Sequence, residues 1–122
     1  RLSLTGLDTR ETEFVHELVL TFIDHLPPLL RAIESGLKAG DRTAVSHAAH
    51  SLKGPLGYFD HGSNQANALR LEQITVAEMS RGPELLFRLQ EGLSALTRYL
   101  AEQFGTEEEK STYHEIDFGP AN

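Results

Sequence analysis

The chain has 122 residues, enough for one domain of ordinary size but too few for a nucleotide-binding kinase domain beside another. Eleven Lys and Arg against 18 Asp and Glu give a net charge of −7, and no basic cluster exceeds two residues, so neither nucleic acid nor an anionic membrane is an expected partner. The absence of cysteine excludes disulfides, thiolate metal sites and a Cys nucleophile, and no apolar run approaches the roughly 20 residues of a membrane span. An acidic, cytoplasmic domain is expected, and Arg1 in place of a Met fits a piece of a longer protein.

Residues 1–10 read as a leader with turn and cap signals at Gly6 and Thr9. From Glu11 the apolar residues Phe14, Leu18, Phe22, Leu26, Leu29, Ile33 and Leu37 recur at helical spacing. Pro27 and Pro28 interrupt them, which predicts either a kinked helix or two helices meeting near His25. Gly36 and Ala39-Gly40-Asp41 end this segment, and Asp41 suits the N-cap of the next. The second helix runs from Arg42 to about Phe59 with Val45, Ala48, Ala49, Leu52, Leu56 and Phe59 in phase.

Asp60 to Asn64 is a loop signal, and a third helix is expected from Gln65 to Met79 with Ala68, Leu71, Ile74 and Thr75 on one side. After Ser80-Arg81-Gly82, Pro83 suits the first turn of a last helix whose stripe is Leu86, Leu89, Leu93, Leu96, Leu100 and Phe104, with Gly105 as C-cap. Residues 106–122 lack periodicity and read as a flexible tail or linker. Nothing alternates with period two, so the fold class is all-α. Four amphipathic helices over residues 11–105 bury their stripes against one another as an antiparallel four-helix bundle.

Six histidines are the candidates for chemistry. At about 100° per residue His50 falls about 140° from Val45, off the buried stripe of its helix. Lys53, Gly54 and Gly57 follow it three, four and seven residues on, which leaves an exposed imidazole beside an ammonium and bare backbone. Each mid-helix glycine costs roughly 1 kcal/mol against alanine, and Pro55 removes a helical hydrogen bond. Two readings of the glycines stand: close packing of helices, or room for another molecule to reach the imidazole.

Ala49-His50-Ser51-Leu52-Lys53-Gly54 resembles the Ala-His-x-Leu-Lys-Gly core of histidine-containing phosphotransfer (HPt) domains. The likeness continues in register through Gly57 and Phe59, then through Ala68, Leu71 and Glu72 on the following helix, and covers about residues 14–104. Two positions depart from the family pattern, Asp60 where a glycine is usual and Asn64 where an apolar residue is usual, and both lie in or beside the loop after the histidine helix.

The resemblance implies a phosphorelay carrier that accepts a phosphoryl group on His50 from a histidine kinase, a hybrid kinase or an aspartyl phosphate, and passes it to an aspartate of a response-regulator receiver. It implies Glu72 as the carboxylate that fixes the imidazole tautomer, Lys53 as a charge for the phosphoryl oxygens, and Gly54 and Gly57 as the clearing. Ser46, one turn before His50, is a further candidate partner. Leu69 and Val76 share the Glu72 side of the third helix and make a candidate apolar docking patch. No cofactor is expected, Mg²⁺ belonging to the receiver. There is also no phosphate-binding loop for ATP, so the domain is expected to be a carrier and not an enzyme. Two rivals remain: a structural or dimerising bundle in which His50 is incidental, and a metal site on His47, His50 and His61.

Overall fold

The computed structural model describes residues 8–59 and 62–119, and within them every regular element is a helix, without strands. Helix α1 spans Thr9–Ala39, α2 Arg42–Phe59, α3 Ser63–Glu72, α4 Gly82–Phe104 and α5 Glu107–His114, with a 3-10 turn at Val76–Arg81. Helix α1 packs on α2 and α4, and α3 closes the ring by packing on both α2 and α4. The apolar stripes of α1 to α4 merge in one core. The proposed leader falls largely on residues 1–7, outside the described residues.

Helix α1 opens on Asp8, whose Oδ1 accepts the Glu11 N–H at 2.8 Å. It continues unbroken through Pro27 and Pro28, so the two-helix alternative does not hold. The prolines lie off the buried stripe, which runs through Leu26, Leu30 and Ile33, and tertiary burial of that stripe offsets the missing backbone donors. The stripe itself is turned by one residue from expectation: Val15, Val19 and Leu30 are buried, whereas Phe14 is 63% exposed and Leu18, Leu29 and Leu37 sit at the edge. Gly36 does not end the helix. It lies inside it, where a Cβ would stand 2.8 Å from Val45 Cγ2, so its small size lets α1 and α2 approach. The stop comes at Gly40, in the left-handed region at φ 68°, and Asp41 then caps α2 through the Ala44 N–H at 3.1 Å.

Helix α2 buries Val45, Ala48, Ala49, Leu52, Leu56 and Phe59, the six residues expected. Helix α3 is shorter than expected. It ends at Glu72, Ile74 is buried in the turn that follows, and Glu78 accepts from both the Thr75 N–H (3.0 Å) and hydroxyl (2.8 Å). Thr75-Val76-Ala77-Glu78 is a helix-start signal, which divides the expected Gln65–Met79 helix in two.

The tail differs in the same way. Thr106 accepts from the Glu109 N–H at 3.2 Å and Glu109 accepts from the Thr106 N–H at 2.8 Å, a capping box that starts α5. The segment folds back on α4: Arg98 donates to the Ile116 carbonyl at 3.1 Å and the Phe118 N–H to Ser94 Oγ at 2.8 Å. Tyr113 and Phe118 pack against the core, and His16 of α1 meets Glu109 Oε1 at 2.7 Å. Residues 106–119 therefore pack back against the bundle, where the sequence pattern alone suggests a tail.

The α3–α4 contact turns on Asn64, one of the two departures from the family pattern. Its side chain is buried, and Nδ2 donates to the Gly92 carbonyl at 3.1 Å. A Cβ on Gly92 would overlap Asn64 Oδ1 and lie 2.9 Å from Cγ. A polar residue is tolerated here because the facing helix offers it a carbonyl and no side chain. The other departure, Asp60, lies outside the described residues, and Gly62 directly precedes α3.

Candidate functional site

The stripe of α2 sets which side chains leave the bundle. With Ala48, Ala49 and Leu52 inward, His50 points out, its side chain 69% exposed in mid-helix. Burial of Ala68 and Leu71 on α3 in turn brings Glu72 to the α2 side. The two meet across the helix pair, His50 Nδ1 lying 2.5 Å from Glu72 Oε2. Lys53, one turn after His50, places Nζ 2.7 Å from the other oxygen, Oε1. The three residues expected from the sequence thus form one contiguous group, with the carboxylate at its centre.

This geometry has a chemical reading. A carboxylate oxygen only accepts, so in the neutral imidazole Nδ1 carries the proton and the Nε2 lone pair is left available. Nε2 has no hydrogen-bond partner among the described residues. Glu72 is the least exposed of the three side chains, at 18%. The Lys53 ammonium, followed by His50, holds its carboxyl below the usual carboxylate range. An ionised Glu72 therefore orients the ring and is itself anchored by Lys53.

The glycines take two different positions. Gly54 is exposed, and a Cβ there would meet nothing within 4 Å outside its chain neighbours, so its bare backbone faces open space beside His50. Gly57 faces α3, where a Cβ would lie 2.9 Å from Gln65 Nε2; its small size serves the helix contact. Ser46 is half-buried, and no hydrogen bond joins it to His50. Leu69 is 36% and Val76 79% exposed, but they lie on different elements, Val76 on the 3-10 turn.

Tyr58, 51% exposed and edge-on to Phe59 with ring centroids 5.1 Å apart, is an apolar surface residue that the sequence reading did not single out. Its signal was its place on α2 outside the buried phase. Among the described residues no three His, Asp, Glu or Cys side chains are grouped to hold a metal ion. His61, the third histidine of the metal reading, lies outside them. Among the described residues, too, no helix is long and apolar enough to cross a membrane.

The described residues thus form a helical bundle that presents a solvent-exposed imidazole beside a carboxylate from the next helix. Residues 17–99 match the model of the Hpt domain family, and the chain belongs to that family. No curated protein and no solved structure matches it. Hpt domains are helical bundles and phosphocarriers rather than catalysts. Membership implies histidine phosphotransfer within a phosphorelay, with kinases and receivers as the kinds of partner.

Proposed function

We propose that His50 is the phosphoacceptor, that Nε2 is the reacting atom, and that the phosphoryl group passes on to an aspartate of a response-regulator receiver. The observation that carries this reading is the His50 Nδ1–Glu72 contact at 2.5 Å on an otherwise exposed ring. In the loading step the Nε2 lone pair attacks phosphorus, the N–P bond forms, and the bond from phosphorus to the donor's oxygen breaks, releasing a carboxylate when the donor is an aspartyl phosphate. Nδ1 keeps its proton, and the positive charge that develops on the ring is stabilised by ionised Glu72. Unloading is the reverse: a receiver carboxylate attacks phosphorus and neutral His50 leaves.

Lys53, already beside the site, moves its ammonium toward the phosphoryl oxygens as they arrive. Gly54 gives the receiver close access, and Leu69 and Val76 belong to the surface it covers, with Ser46 at its edge. On this reading the domain works in the cytoplasm, its four principal helices run antiparallel, and it needs no cofactor of its own, Mg²⁺ being held by the receiver.

The test is phosphorylation of the purified protein by a phosphorylated receiver or an active histidine kinase, read by intact mass and acid lability. One acid-labile phosphate is expected, absent in His50→Gln while the helical circular-dichroism signal and melting temperature persist. A phosphate that survives in His50→Gln refutes the assignment.

A further inference from the structure

A second concave site lies on the other side of α3. Arg70 precedes Glu72 by two residues, about 200° round the helix, so it leaves α3 opposite the His50 face. There Arg70, Arg81 at the end of the 3-10 turn and Arg88 of α4 converge on a cleft of about 390 Å³. Three of the chain's 11 basic residues thus meet in one place on a protein of net charge −7.

The two carboxylates that line the same cleft are already engaged. Glu84 accepts from Arg88 at 2.8 Å, and Glu78 is held by the N–H and hydroxyl of Thr75 at 3.0 and 2.8 Å. These Thr75 bonds, with smaller contributions from the charges of Arg81 and Arg70, keep the Glu78 carboxyl below its usual range, so it stays ionised and partly offsets the two arginines. Among the described residues the Arg70 and Arg81 guanidinium groups make no hydrogen bond or ion pair. Three guanidinium groups against two carboxylates leave one positive charge in excess, carried on unused planar donors.

Leu85, half-buried, gives the cleft an apolar wall, with the buried Ile74 behind it. Its volume is far larger than an inorganic phosphate requires and falls within the range of roughly 300–1,000 Å³ seen for small-molecule sites. Guanidinium forks match phosphate oxygens bidentately, and the wall suits a flat ring. We propose that this cleft binds a phosphate monoester of about mononucleotide size, its phosphate on Arg70 and Arg81 and its ring against Leu85. The site is separate from His50 and does not depend on the phosphotransfer reading.

Titration of the ¹⁵N-labelled protein with AMP and with CMP, followed by amide chemical shifts, tests the proposal. At least one nucleotide is expected to shift the amides of Arg70, Ile74, Arg81 and Leu85 saturably at millimolar concentration. Inorganic phosphate and uncharged adenosine are expected to bind at least about tenfold more weakly, since each supplies only half of the contacts. Arg70→Gln and Arg81→Gln should each weaken nucleotide binding about tenfold with the melting temperature unchanged, and His50→Gln should bind as the wild type does. No saturable shift with either nucleotide overturns the proposal, as do arginine variants that bind like the wild type. Phosphate binding as tightly as the nucleotides reduces the cleft to a bare anion site and overturns the ligand class, and equally tight adenosine binding overturns the role of the arginines.

Discussion

Replacing Gly92 by alanine tests the fit between α3 and α4 that sets where Glu72 stands. The added methyl overlaps Asn64 Oδ1 and comes within 2.9 Å of Cγ, so the buried amide must move and its 3.1 Å bond to the Gly92 carbonyl is lost. Leaving those groups unmatched costs about 2 kcal/mol. Forcing extra volume into a packed contact costs about 2 kcal/mol more. Alanine's better helix propensity returns about 1 kcal/mol. The net loss is about 3 kcal/mol, a fall of about 10 °C in melting temperature for a domain of this size.

Urea denaturation of Gly92→Ala, Asn64→Ala and the double variant closes the cycle. The double variant should be more stable than Gly92→Ala by at least about 1 kcal/mol, because the obstructing amide is gone. A Gly92→Ala protein as stable as the wild type would refute the argument. So would single-variant costs that simply add, because they would mean that the two residues do not meet.

Two other outcomes follow from the polar groups. Because Lys53 and His50 lower the Glu72 pKa on folding, the stability that this carboxylate contributes is fully present above its unfolded value of 4.5 and is lost as pH falls through the lower folded value. The melting temperature of the wild type should therefore exceed that of Glu72→Gln at neutral pH, and the gap should close below pH 4.5; a gap that persists in acid would remove the ionic account. Thr97 is fully buried and its hydroxyl has no partner among the described residues, so Thr97→Val should stabilise the domain by about 1 kcal/mol and raise the melting temperature by about 4 °C; a decrease in thermal scans would mean that the hydroxyl is bonded in solution.

The sequence by itself determined the helical class, the complete buried face of α2, and His50, Lys53 and Glu72 as one group. Helical periodicity is a local property, so the inward residues of α2 identify the outward ones, and the resemblance around His50 extends to Glu72 22 residues on. It also contains the starts of two elements that the apolar pattern does not announce, since Thr75-x-x-Glu78 and Thr106-x-x-Glu109 are both capping boxes. A capping box, however, competes with the apolar pattern around it, and burial decides which prevails.

Tertiary structure alone decided the rest. The continuity of α1 through Pro27 and Pro28 comes from burial of its stripe by other helices, which no local propensity encodes. The rotation that exposes Phe14 has the same origin. The separate duties of Gly54 and Gly57 depend on what stands opposite each, open space in one case and Gln65 in the other. The pairing of Asn64 with Gly92 joins residues 28 apart, and the meeting of His16 with Glu109 joins residues 93 apart. The convergence of Arg70, Arg81 and Arg88 likewise requires three elements to be folded together before their charges share one cleft.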